Sequence, residues 1–185
     1  MSPAVVQIGV SIPVPPPFGP ALQQARVGFG DPLADAIPAH VTVVGPTTVP
    51  VGDLPGVIAH LESGAARFGP FEVHLRGTGT FRPVSDVVFV QVVRGISECE
   101  RLEAAMRSGP LAQDRRFHYH PHVTVAHDVP AAALDRAFEE LAGFEAAFPV
   151  GAVTLYEHGA DDVWRPVREI PLGPAADATA PGGAW

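Results

Sequence analysis

The tetrapeptide His40-Val41-Thr42-Val43 returns unchanged as His122-Val123-Thr124-Val125, 82 positions further along the chain. In an extended strand, side chains alternate between the two faces, so each copy sets two valines on one side and an imidazole with a hydroxyl on the other. The valine face suits a core. The opposite face is then free to line a surface or a cleft, and two such strands facing each other would bring together a symmetric pair of histidines.

The chain is long enough, at 185 residues with 46% hydrophobic content, for one domain or two small lobes that share a core. No apolar run approaches the roughly 20 residues that a bilayer span requires, and no basic stretch leads into an apolar one at the start, so a soluble, cytoplasmic protein is expected. The single Cys99 allows neither an intramolecular disulfide nor a cysteine-based zinc site. A net charge of −8, with arginine as the sole basic residue besides histidine, excludes the broad basic surface that long nucleic acid needs. A local arginine can still hold one phosphate. Small or end-bound substrates are favoured.

Along the chain, Val6, Ile8, Val10 and Ile12 alternate with Gln7, Gly9 and Ser11 as a strand that ends in the Pro13–Pro17 stretch. Residues 19–28 read as a short helix closed by Gly28 or Gly30, and a loop leads to the first motif strand, stopped by Gly45-Pro46. Asp53 is placed to cap a helix running to about Phe68. Phe71, Val73 and Leu75 alternate as a further strand, and Val87–Val93 is apolar enough for a buried one. Ser97 and Glu100 have the spacing of a capping box for a helix to about Arg107. After the Gly109-Pro110 break and the second motif, Pro130 suits the first turn of a helix striped by Leu134, Phe138 and Leu141. Strands near 147–156 and 163–170 follow. The tail, residues 174–185, reads as disordered beyond a single domain over residues 1–173.

Each half thus reads motif strand, helix, strand, strand, and Phe71-Glu72-Val73 in the first answers Phe148-Pro149-Val150 in the second. A repeat of this length does not suit a solenoid. The expected architecture is an α+β duplication: two mainly antiparallel sheets flanked by helices, forming two lobes about a pseudo-twofold axis, with the motifs meeting in a central cleft.

The paired His-x-Thr-x motifs resemble those of the two-histidine (2H) phosphoesterases, which include the bacterial 2'-5' RNA ligase-like proteins and cyclic nucleotide phosphodiesterases. The likeness extends from Val5 to about Leu172. It takes in Pro38-Ala39 before the first motif, Gly79-Thr80-Phe81, Pro121 before the second motif, and Trp164. It implies opening of a 2',3'-cyclic phosphate, or the reverse ligation, at an RNA or nucleotide end, with no metal or other cofactor. Two imidazoles can divide the transfer of protons at a phosphodiester, and the hydroxyls of Thr42 and Thr124 can donate to its non-bridging oxygens. His40, Thr42, His122 and Thr124 are the expected catalytic set, in a monomer acting on a small nucleotide or an RNA end.

Substrate contacts are expected from Phe81 by stacking, from Arg82 near a phosphate, and from Tyr156, with Tyr119 as a weaker candidate. A rival reading takes His118, His120 and His122 as a zinc site, since the three share one face if the segment is extended. A third makes the chain a nucleotide-binding protein without turnover. His60, His74, His127 and His158, which have no motif around them, read as surface or supporting residues.

Overall fold

The computed structural model describes residues 3–114 and 117–174; the tail assigned to disorder falls, but for Pro174, outside them. Its strands are β1 (Val5–Pro13), β2 (His40–Pro50), β3 (Phe71–Thr80), β4 (Val87–Arg94), β5 (His122–His127), β6 (Glu145–Val150), β7 (Ala152–His158) and β8 (Trp164–Pro171). Its helices are α1 (Phe18–Gly28), α2 (Leu54–Ala65), α3 (Ile96–Met106) and α4 (Ala131–Glu140). The strands form two four-stranded antiparallel sheets, β2-β1-β7-β8 and β5-β4-β3-β6. Each sheet has one motif strand at its edge. The α+β, two-sheet architecture expected from the sequence is the one observed.

Both motif strands alternate as their valines require. Val41, Val43, Val123 and Val125 are buried, while His40, Thr42, His122 and Thr124 are half-exposed. β6 shows the same two-residue period, with Ala146, Phe148 and Val150 buried and their neighbours exposed. In β4 the run Val87–Val90 is buried throughout, because the strand lies inside its sheet between β5 and β3. β1 departs from simple alternation, since Gly9 and Ser11 are buried along with Ile8, Val10 and Ile12. A Cβ at Gly9 would stand 3.3 Å from the Trp164 ring, so the missing side chain is what lets that indole lie across the strand.

The sheets do not follow the two halves of the sequence. β3, from the first half, pairs with β4 and β6, whereas β7 and β8, from the second, complete the sheet of β1 and β2. The expected strand over 147–156 is broken at Gly151, and its two parts serve different sheets. Phe71-Glu72-Val73 and Phe148-Pro149-Val150 are therefore not equivalent positions in two lobes. They are register partners in one sheet, with Phe71 opposite Val150 and Val73 opposite Phe148.

Helix positions agree with the sequence better than helix caps do. α3 starts at Ile96 behind Gly95, whose φ of 91° is left-handed, so Ser97 already lies inside the helix and no capping box forms. Asp53 precedes α2 but makes no side-chain cap bond, and α2 ends at Ala65, short of Phe68. In α4 the buried residues are Leu134 and Ala137, while Phe138 is partly exposed.

Packing crosses the seam in a symmetric way. α1, which follows β1, lies against β5, and α3, which follows β4, lies against β2; α2 and α4 cover their own sides. Each motif strand is thus backed by a helix from the other unit. One continuous core runs through both sheets. Among the described residues no helix is long and apolar enough to cross a membrane.

Leu61 on α2 is fully buried in that core. Leu61→Ala should lower the stability to urea unfolding by about 2–5 kcal/mol; a loss well under about 1 kcal/mol would mean that α2 adds little to the shared core.

Candidate active site

His40 and His122 each open a strand, and the backbone just before each ring turns a carbonyl back onto it. Nδ1 of His40 lies 2.7 Å from the Pro38 carbonyl oxygen, and Nδ1 of His122 lies 2.6 Å from that of His120. A carbonyl oxygen only accepts, so Nδ1 carries the hydrogen in both rings. The neutral imidazole then keeps its lone pair on Nε2. The same two-residue device sets the same tautomer twice.

Burial lowers the pKa of both histidines. For His40 desolvation is the main cause, opposed by the Pro38 carbonyl and reinforced by the positive charge of Arg26. For His122 desolvation again dominates, opposed by the His120 carbonyl and aided by His120 and His40, and the value falls to about 4. His40 and His122 are therefore within electrostatic reach of each other, and both rings are neutral at pH 7 when nothing is bound.

His40 stands where two cavities meet. One, of about 110 Å³, is lined by Ser11, His40, Thr42, Tyr156 and Trp164. The other, of about 340 Å³, is lined by Arg26, His40, Thr124, His127, His158 and Trp164. Residues of both motifs, His40, Thr42 and Thr124, thus line two adjoining cavities, while His122 is in the lining of neither. His122 sits against aromatic rings: Phe81 approaches it edge-on at 5.0 Å between ring centres, Phe89 at 4.9 Å, and His120 lies nearly parallel at 6.1 Å.

Two hydrogen bonds link the segments around the motif strands, one reaching β2 and the other joining β5 to the loop after α1. The Tyr119 hydroxyl donates to the Thr42 carbonyl at 2.8 Å, and the backbone N–H of His127 donates to the Asp31 carboxylate at 3.0 Å. Burial raises the pKa of Tyr119 well above its ordinary value, so the phenol keeps its proton for that bond.

The structure brings together His40, Thr42, Thr124 and Tyr156, and places Phe81 against His122. Arg82 is elsewhere: its Nη1 is engaged by Asp135 at 2.8 Å on the surface. The arginine in the cleft is Arg26, which no motif marked. His127 and His158, read as surface or supporting residues, line the larger of these two cavities together with Trp164. Strand alternation alone would set His127 on the valine face; the register shift between Val88 and Phe89 in the β4–β5 pairing, which leaves Val125 and Ala126 both buried, turns it to the cleft, and Arg26 reaches the cleft through the crossing of α1 onto β5. His60 and His74 are structural, bonded to the Met106 carbonyl and to Glu145. Among the described residues, no three His, Cys, Asp or Glu side chains gather at a spacing fit to hold a metal ion. The segment before β5 is not a strand, and although the His120 and His122 rings lie side by side, His118 does not join them in such a group.

A family model described as the 2'-5' RNA ligase superfamily matches residues 14–162. The chain belongs to this superfamily. A relative from Bacillus cytotoxicus named "Putative phosphoesterase" is 31% identical over 96 residues, 52% of this chain and 55% of that one. The chain spans about half the length of the curated relatives it matches. Among solved structures, Escherichia coli LigT complexed with 3'-AMP superposes with a TM-score of 0.62 at 17% identity, covering 91% of this chain and 99% of that one. TT0787 of Thermus thermophilus does so at 0.60 and 21% identity, covering 92% and 100%. These likenesses are to the fold that the superfamily's paired motifs imply.

The depressed pKa values make stability depend on pH in a definite direction. In the unfolded chain these imidazoles take up protons below about 6.5, while the folded protein resists until lower pH, near 4 for His122. Unfolding then binds protons, so stability is complete above about 6.5 and declines as the pH falls toward 4. Thermal midpoints measured from about pH 7 to about pH 4.5 should show this decline, and it should be shallower in His122→Asn. Parallel curves for the two proteins would show that His122 does not contribute.

Proposed function

We propose that the protein is a phosphoesterase that acts on 2',3'-cyclic phosphate or 2'-5' phosphodiester ends of RNA or small nucleotides, with His40 and His122 sharing the proton transfers. The observation that supports this reading is the matched Nδ1 bond in each motif, which leaves Nε2 as the exchangeable position of each ring. One neutral Nε2 takes the proton of the attacking water. The other, protonated, gives its proton to the leaving oxygen, so each turnover exchanges their states. The hydroxyls of Thr42 and Thr124 donate to the non-bridging oxygens as charge builds on them.

Both rings are neutral in the free protein, so the acid must gain its proton as substrate binds. A phosphodiester brings a negative charge beside the imidazoles and favours a single imidazolium. Superfamily membership supports the reaction class, and the crystal structures of E. coli LigT with 3'-AMP, NADP+ and ATP support a small nucleotide as ligand. RNA ends, cyclic mononucleotides and ADP-ribose cyclic phosphate all offer the required group.

The test is turnover of a panel of 2',3'-cyclic nucleotides and RNA oligomers with cyclic ends, with a chelator present. Turnover should persist in chelator, and His40→Ala and His122→Ala should each lower it about 10²–10⁴-fold. Near wild-type turnover in either variant would replace the shared scheme with a single-histidine one. Binding without any turnover would make the chain a nucleotide-binding protein instead.

The proton uptake has its own signature. kcat/KM reports the free protein and kcat the complex, so kcat/KM should fall with rising pH at a lower pH than kcat does. Coincident basic limbs would show that the acid is already protonated before substrate arrives.

A further inference from the structure

Arg26 is a buried cation with unused donors. Its side chain is 7% exposed, and its Nε donates to Asp31 Oδ2 at 2.7 Å. Asp31 is wholly buried and spends its remaining capacity on the backbone N–H groups of Leu33, at 2.8 Å, and His127, at 3.0 Å. Among the described residues neither Nη of Arg26 donates a hydrogen bond. Nor are these atoms sealed in the core, where the one unpartnered side-chain polar atom among the described residues is Oε1 of Gln23. Arg26 lines the 340 Å³ cavity together with His40 and Thr124. The one acidic residue on its walls, Asp162, is highly exposed and lies 3.6 Å from His158.

A guanidinium removed from water needs acceptors for its N–H groups, and a planar fork with both Nη free matches the two oxygens of a phosphoryl group. We propose that Arg26 is a substrate-binding residue whose Nη groups take non-bridging oxygens of the phosphoryl group bound at His40 and Thr124, and that Asp31 is the residue that positions it. The ligand's identity rests on the phosphoesterase reading. The anion site itself does not.

Asp31 holds the fork through Nε alone, which leaves both Nη groups without an acceptor among the described residues. By also accepting the His127 N–H, the same carboxylate ties the cation to the end of the strand that carries Thr124. Cation and hydroxyl are thereby referred to one atom group, which fixes where a phosphoryl group sits relative to Nε2 of His40.

The test is calorimetric binding of inorganic phosphate, with adenosine as an uncharged comparison, by the whole chain and by Arg26→Gln, Arg26→Lys, Asp31→Asn and the double Arg26→Gln/Asp31→Asn variant. Arg26→Gln alone leaves a buried carboxylate without its cation and is exposed to misfolding; the double variant removes both charges and keeps the shapes. The double variant should bind phosphate about 10- to 100-fold more weakly with adenosine affinity unchanged. Arg26→Lys should lose part of the phosphate affinity despite its charge. Asp31→Asn should raise KM for the best panel substrate more than it lowers kcat. Wild-type phosphate affinity in the double variant, or no phosphate binding by the wild type at millimolar concentration, would overturn the proposal even if turnover is found. Phosphate binding that depends on Arg26 in a protein that turns over nothing would leave the anion site standing and remove the enzymatic reading.

Discussion

The bond from the Tyr119 hydroxyl to the Thr42 carbonyl and that from the His127 N–H to the Asp31 carboxylate span a gap that no β-ladder closes. β2 and β5 are edge strands of separate sheets, so nothing in the sheet hydrogen bonding sets their separation. Proton transfer between two imidazoles and one phosphate tolerates errors well below the width of a side chain. The spacing must therefore come from the direct packing of β2 on β5 and from contacts outside the ladders. Tyr119 reaches β2 directly, Asp31 ties β5 to the loop after α1, and α1 packs on β5 as α3 packs on β2.

The scaffold is nearly symmetric, but its contents are not. Each imidazole has its Nδ1 held by the carbonyl two residues earlier, and each stands in a strand whose alternate valines are buried. Around His40 lie Arg26, Tyr156 and Trp164; around His122 lie Phe81, Phe89 and His120. A cation beside one ring and aromatic rings beside the other would give the two imidazoles different responses to one bound anion. Two equivalent histidines would have no physical reason to take opposite roles, and this unequal setting is what can assign them.

Much of this was legible in the chain. The valine alternation in the two motifs required strands with one buried face, and the recurrence of histidine and threonine on the other face required a shared cleft if they were to act together. The apolar run Val87–Val93 announced an interior strand for the same reason. What could not be read was which strands pair. Period-2 alternation reports a buried face and is silent about the neighbour, so Phe71-Glu72-Val73 and Phe148-Pro149-Val150 looked like equivalents when they are partners across one ladder. Pro149 and Gly151 mark the break within 147–156, which a reading by apolar content alone passes over. The capping box at Ser97 failed because Gly95, free to adopt a positive φ, turns the chain two residues earlier.

The two arginines show where sequence proximity misleads and burial informs. Arg82 adjoins Phe81 and so stands near the site along the chain, yet it is satisfied by Asp135 at the surface, where an ion pair of two partly exposed groups contributes little. Arg26 lies on a helix with no motif around it, and its neutral-looking stretch, Gln24-Ala25-Arg26-Val27, reads as an ordinary amphipathic turn. Keeping a guanidinium 7% exposed costs free energy unless acceptors meet it, and Asp31 meets only one side. A chain that retained this arrangement solely for stability would do as well with a methionine and a leucine, since replacing a buried ion pair by apolar residues is often neutral or stabilising. The half-met cation is explained when a ligand completes it.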